Sequence, residues 1–536
     1  MLLAASIPFA SASAQSTQHI NALVETAKSS SAQPQPTTGA PVAPSAIQTA
    51  SPTANETSAV IGAIQIDGRS ETRVRDFAAV IEQHLGEEGR PEALSNIAAS
   101  IANVAREQGF IFASAMIPPQ SLHAGLLRIK LDEGRVDEVR IIGSDNRRLH
   151  SILMQLRGRV GTRRQVERRL LLAEDLPGIT ILQTRFVREQ ENGVLVVEVR
   201  DGDAGYIGLD NYGPDANGPI RARVSYDLAG LLNDGDLLSV QIIDTVAQPR
   251  ELAYGSARYS MVIDDRGNQA GIYAAMGRSH PGARLRRFDL RGRIWQLGAF
   301  TSHPLVRSNA RNVWLNGDIN ILGLSQRASA LRIQRDRIVT ASMTVTGSVR
   351  LDEGWLYGGV GVTQGLGVAG TTGEHDPLAS RYDGSASFTK GVAWFSGIGE
   401  LTDRLSFRVA ANGQLASRPL LAAQEIALGG PYYGRAYDFS ERTGDSGVLG
   451  SIELRRQFSL NSRGRRLQLY TFADGGIVDN LRDGFGGGSL ASAGGGIRLG
   501  LGKLDMSLET AIPLSAPRYE SDDKSPKINA SIGFTF

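Results

Sequence analysis

Few residues in this chain of 536 have the types and spacings that make or break bonds. Gly444-Asp445-Ser446-Gly447 has the look of a serine nucleophile on a tight turn. No His-containing partner motif accompanies it, and an alternating segment follows, so a turn is the simpler reading. Gly365-Leu-Gly-Val-Ala-Gly370 has the spacing of a dinucleotide fingerprint. It does not open a helix within a β-α-β unit, so no helix N-terminus would receive a pyrophosphate. The seven His are scattered without metal-ligand spacing, and there is no Cys to give a thiolate, a thiolate metal site or a disulfide. Gly-x-Ser-x-Gly is absent. The expectation is therefore no catalytic residue, no metal and no cofactor.

What remains is chemistry of charge placement. Asp474 shares a strand face with Tyr470 and Phe472, whereas Leu467, Leu469, Thr471 and Ala473 take the other face. Glu453 and Arg455 oppose Val448, Ile452 and Leu454 in the same way, and Arg221, Arg223 and Asp227 oppose Ile220, Ala222, Val224, Tyr226 and Leu228. The last residues repeat the pattern, with Ile528, Ala530, Ile532, Phe534 and Phe536 on one face and Asn529, Ser531, Gly533 and Thr535 on the other. Period-two alternation with charges confined to one side is the signature of strands with lipid outside and water inside. A charge turned toward lipid would cost several kcal/mol, about 2–4 for Arg at mid-bilayer. Glu453 and Arg455 read as charges lining the lumen, and salt bridging across strands is an equally good reading of the pair.

The elements that must position these charges follow from composition and periodicity. Gly is 62 of 536 residues, above the usual share of roughly 7%. No run of 18 apolar residues exists, so the chain could enter a membrane only as a closed barrel that satisfies its own backbone. From residue 202 onward helical periodicity vanishes. At about 20 residues per strand and turn, that stretch predicts an antiparallel barrel of roughly 16 strands. Upstream, 58–136 and 137–201 each read as a β-α-α-β-β module. The first has helices on Val74–Leu85 and from Pro91, and strands at Phe110–Ile117 and Gly125–Glu133. The second has a capping-box match, Thr162-x-x-Gln165, opening its second helix. Residues 1–14 resemble the end of a secretory signal ending in Ala12-Ser13-Ala14, without a basic start. Residues 15–57 hold a possible short helix at 17–28 and a Ser/Ala/Pro/Thr linker. A net charge of +2 gives no electrostatic case for nucleic acid.

Several spaced motifs, in order, resemble the two-partner secretion transporters of the FhaC/ShlB/HecB (TpsB) class. Met116-Ile-Pro-Pro-Gln120, Gly125-Leu-Leu-Arg-Ile129 and Asp132-Glu-Gly-Arg135 resemble that family's first POTRA domain. Arg168-Arg-Leu-Leu-Leu172 and Asp175-Leu-Pro-Gly-Ile179 resemble its second. Leu209-Asp-Asn-Tyr-Gly213 and Gly235-Asp236 resemble the first barrel hairpin. Leu428-Gly-Gly430 with Gly434-Arg435-Ala436-Tyr437 resembles the long loop that folds back into the barrel. Here Gly434 stands where that family usually has Val, and Ala436 where it has Gly. Phe472-Ala-Asp474-Gly475 resembles the matching motif on the inner wall.

The resemblance implies an outer-membrane transporter, not an enzyme, with POTRA modules in the periplasm of a Gram-negative cell. It implies a partner exoprotein bearing an amino-terminal secretion domain, a surrounding of outer-membrane lipid and lipopolysaccharide, and an Arg435–Asp474 pair, which we expect to be bidentate. It also implies client capture on the first module near Pro118, Gln120, Gly125, Leu127, Glu133 and Gly134. A pore plug at 17–28 is implied as well, although its thin apolar face equally suits a segment without structure. An assembly factor for other membrane proteins is the rival reading. A passive porin is disfavoured by the two upstream modules.

Overall fold

The computed structural model describes residues 59–190, 192–460, 465–482, 484–519 and 521–536. The expected signal, helix and linker at 1–57 lie outside the described residues. The described chain divides into two compact units, one carrying the α/β modules and the other the β-barrel.

In the first module, Leu126–Asp132 is the central strand. It pairs in parallel with Ala63–Asp67 and antiparallel with Ser114–Met116. Its inward residues Leu127, Ile129 and Leu131 are buried while Arg128 and Lys130 are exposed, the period of a half-buried strand. Helices Ala78–His84 and Pro91–Glu107 supply Leu94, Ile97 and Ile101 to the same core. Pro91 starts its helix at the first turn, where its missing N–H costs nothing, and Gly109 follows the helix end at φ +101°. The expected strand at 110–117 is shorter than the sequence suggests. Residues 110–113 turn away, and the Phe112 ring stacks on Phe186 of the second module at 4.3 Å. Aromatic stacking there outweighs the β-propensity of the segment.

The second module repeats the order. Glu138–Ile142 pairs in parallel with the central strand Asn192–Asp201, which pairs antiparallel with Ile179–Glu189. Both faces of the central strand are covered, so Val194 to Val197 form one unbroken buried run. Helix Arg147–Met154 is capped by Asn146, whose Oδ1 accepts from the Leu149 N–H at 2.9 Å. The capping box at Thr162 is not formed. Thr162 is the N-cap of Arg163–Glu174 without a side-chain bond, and its main-chain oxygen accepts from Gln165 and Val166 instead.

The barrel is a single closed antiparallel sheet of 16 strands, from Ala204–Asp210 to Lys527–Thr535. The sequence expectation of roughly 16 is met. The last strand closes on the first through five residue pairs, Ser531↔Asp210 to Thr535↔Tyr206. Phe536 then exchanges main-chain N–H and C=O bonds with Gly205. Outward positions such as Ile272, Val448 and Ile528 are more than half exposed, whereas inward Glu453 and Asn529 are buried. That inversion of a soluble core is what a lipid-facing wall requires. Between strands Leu405–Ala416 and Ser446–Ser459, residues 417–445 form an arm. Its base is a short hairpin of Ile426–Leu428 on Arg442–Gly444.

Candidate functional site

Chain direction and register decide where the arm meets the wall. Gly429, Gly430 and Gly434 all have φ between +83° and +115°, a region that costs glycine little, and they turn the arm back on itself. Glycine in place of the family's usual Val at 434 is thus what this local backbone needs. A Cβ there would also come within 3.2 Å of Gly429 Cα. Arg435, Ala436 and Tyr437 are thereby presented to the wall and are all buried.

Asp474 holds the arm's backbone. Its Oδ1 accepts from the Gly434 N–H at 2.8 Å and the Arg435 N–H at 3.2 Å, and also from the Ser492 hydroxyl. The expected bidentate Arg435–Asp474 fork is not formed. Arg435 Nε lies 3.0 Å from Asp474 Oδ2 but off the hydrogen-bonding direction, a charge contact only. The two main-chain amides and Ser492 all go to Oδ1, Oδ2 accepts no hydrogen bond, and the guanidinium reaches past the carboxylate because its Nη groups are taken up by other acceptors. Nη1 donates to Glu453 Oε2 at 3.1 Å and Glu509 Oε2 at 2.9 Å, and Nη2 donates to Ser451 at 3.3 Å. The guanidinium also lies over the Phe472 ring at 3.9 Å.

Glu453 is not a free charge on the lumen surface. It is 1% exposed and receives Arg435, Arg455 at 2.5 Å and Arg498 at 2.6 Å. Glu453 and Arg455 are salt-bridged to each other within one strand, and Arg498 reaches Glu453 from another. Three arginines (435, 455, 498) thus meet three carboxylates (453, 474, 509), which makes burial of so much charge tolerable. Tyr437 Oη donates to the Ala516 carbonyl at 2.9 Å. Gly475 lets the neighbouring strand approach, since a Cβ there would meet the Leu490 carbonyl at 2.2 Å.

Sequence reasoning missed Glu509, Ser451, Ser492, Arg498 and Asn529. Asn529 Nδ2 donates to the Arg435 carbonyl at 3.1 Å and to Glu509 at 3.2 Å. The signal was present. Glu509 falls between Leu508 and Thr510, and Asn529 between Ile528 and Ala530, so alternation placed both inward without naming their partner.

The candidate client-binding residues of the first module separate into two groups. Pro118, Gln120 and Gly125 are partly exposed, but Leu127, Glu133 and Gly134 are buried and have structural tasks. Leu127 is core. Glu133 accepts from the Thr72 N–H and hydroxyl and from the Glu71 N–H at 2.7–3.0 Å, and also from the Ser70 hydroxyl. Gly134, at φ +81°, makes room for Phe112, whose Cβ would be 2.5 Å from an added methyl. These three are removed from the surface because the module needs them to fold. Gln120 holds both main-chain groups of Arg128, accepting at 2.8 Å and donating at 2.6 Å, as a neighbouring strand would.

Comparison with known proteins places this geometry. Residues 194–499 match the family model "Haemolysin secretion/activation protein ShlB/FhaC/HecB", and residues 60–134 match the ShlB-type POTRA domain. The heme/hemopexin transporter protein HuxB of Haemophilus influenzae (strain 86-028NP) is 23% identical over 413 residues, 75% of this chain and 73% of that protein. The outer membrane transporter CdiB of Dickeya dadantii (strain 3937) is 22% identical over 484 residues, 86% of this chain and 84% of that protein. The solved CdiB from Escherichia coli superposes with a TM-score of 0.72 at 17% identity, covering 97% of this chain and 99% of that one, and so shares the fold. With more than half of its length matched by that model, the chain belongs to the haemolysin secretion/activation protein family ShlB/FhaC/HecB.

Proposed function

We propose that this protein exports a large partner exoprotein from the periplasm to the cell surface. The modules at 58–136 and 137–201 both serve as POTRA domains, and 202–536 is the transmembrane barrel. The observation that carries the reading is the arm. Residues 417–445 are held at the inner wall of a closed 16-strand barrel by one buried arginine shared among three carboxylates. A passive pore needs no such latch. A transporter that must clear its lumen does, because a latch of a few bonds is strong when closed and has a definite released state. The related HuxB and CdiB, named as transporters, support the same function. Client capture fits the edge strand Ala63–Asp67, since an extended segment can add to an open edge by main-chain bonding. At Arg128, Gln120 fills the place an added strand would take.

The test is comparative mass spectrometry of culture medium and cell surface from a deletion strain and its parent. Loss of one large protein on deletion, restored by the wild-type gene, is the expected result. Broad loss of outer-membrane proteins would replace the reading with an assembly role, and no change would overturn it.

A further inference from the structure

Tryptophans of a membrane barrel belong outside, in the girdles at the two lipid interfaces. This chain has four Trp, and three point the other way. The register is explicit. Trp314 lies across from Thr346, Thr346 from Gly359, Gly359 from Trp394, Trp394 from Asn412 and Asn412 from Leu449. Leu449 shares its face with Ser451 and Glu453, so the whole row faces the lumen. Trp355 and Tyr357 share the face of Gly359 on the same strand. Their neighbours Val345, Val360 and Phe395 face outward and are 40–59% exposed. Trp295 alone is outside, across from the exposed Met276. The inward rings are half-buried and form one strip. Tyr357 meets Trp394 edge-on at 4.7 Å, Arg350 sits over Trp355, and glycine at 359 leaves the Trp394 indole room to lie against the wall.

We propose that this strip is the lumen track for the exported chain, which crosses extended with apolar side chains at alternate positions. The proposal rests on the export reading above. An extended chain repeats each face every second residue, about 6.7 Å. Trp355 and Tyr357 repeat along their strand at that same interval. The arm's anchors, by contrast, come from the strands carrying Ser451, Asp474, Ser492, Glu509 and Asn529, a different stretch of the wall. A period-two client would thus lay its apolar face on the aromatic strip and turn its polar face to the lumen water.

The experiment uses the full-length protein in nanodiscs carrying Trp295→Phe, so that emission comes from the three lumen tryptophans. The probes are a nitroxide-labelled peptide alternating Val and Lys, a control alternating Ser and Lys, and lipids with brominated acyl chains. The Val peptide is expected to quench with roughly tenfold higher affinity than the Ser peptide, and the brominated lipid not to quench. The variant with Trp314, Trp355 and Trp394 all changed to Phe should show the reverse, quenching by lipid and not by peptide. Equal affinity for the two peptides, or lipid quenching of the Trp295→Phe protein, would overturn the proposal. Binding that appears only after deletion of residues 15–57 would also overturn it, by giving the strip to the chain's own segment. The export reading is scored independently by the deletion strain, so a client found there with equal peptide affinities condemns the strip alone.

Discussion

Replacing Arg435 by Ala should free the arm while leaving the barrel folded. The guanidinium makes two charge-assisted hydrogen bonds, to Glu453 and Glu509, each worth about 1.5–3 kcal/mol. Removing one partner of a buried pair costs about 3–5 kcal/mol because the other charge is stranded. Here the low end applies. Glu453 keeps Arg455 and Arg498, and Glu509 keeps Tyr470 and Asn529. Asp474 keeps its main-chain amides only while the arm stays docked. A loss of about 3 kcal/mol lowers the docked-to-released ratio by roughly two orders of magnitude. The chain has no Cys, so spin labels can be placed at will. Labels at Tyr432→Cys on the arm and Ile497→Cys on the outer wall, both exposed, should give one narrow distance by double electron–electron resonance. Arg435→Ala should broaden it and abolish client export. Arg435→Lys should fall between, since a point charge cannot bond several acceptors at fixed angles. An unchanged narrow distance together with undiminished export in Arg435→Ala would refute the latch.

Three further outcomes follow from the geometry. Burial alone would raise the Glu133 carboxyl, but bonds from the Ser70 and Thr72 hydroxyls and the Thr72 and Glu71 amides outweigh it and hold the group below its ordinary 4.5. Its stabilisation is therefore full above that value and is lost as pH falls through the depressed one. Hydrogen exchange of amides 70–76 in the full-length protein should lose protection at low pH, and Glu133→Gln should show the low protection already at neutrality. Phe112→Ala removes the ring stacked on Phe186. It should cost about 3–5 kcal/mol, read as a lower urea midpoint for the two modules with the barrel transition unmoved. Asp445 is fully buried and accepts from the Leu420 and Leu481 amides and from Arg381. Asp445→Ala leaves Arg381 with Asp383 and Glu425 but takes the acceptor from the Leu420 and Leu481 amides, at about 1–3 kcal/mol for each buried group left unsatisfied, seen as faster proteolysis of 366–388 and 417–445 without loss of heat-modifiable gel mobility.

Sequence alone determined which face of each strand meets lipid, because the period of two is local and a charge in hydrocarbon is prohibitive. That rule put Asp474, Glu453 and Asn529 inside, and it yielded the strand number from length. It also gave both β-α-α-β-β modules, since helical and strand periods differ along the chain. It erred where a local preference met a distant partner. Phe110–Ile117 looked like strand until Phe186 claimed Phe112, and Thr162 looked like a side-chain cap although main-chain bonds do the work. Glu133 looked like a client contact, yet Ser70, Glu71 and Thr72 bury it. The latch itself was only half legible. Alternation says that a carboxylate faces inward, but not which of three will meet Arg435 across 18, 39 or 74 residues of chain. Only the cross-strand register, which brings Ser451, Asp474, Ser492, Glu509 and Asn529 on five consecutive strands to one patch of inner wall, and the fold of the arm onto that patch, decided that.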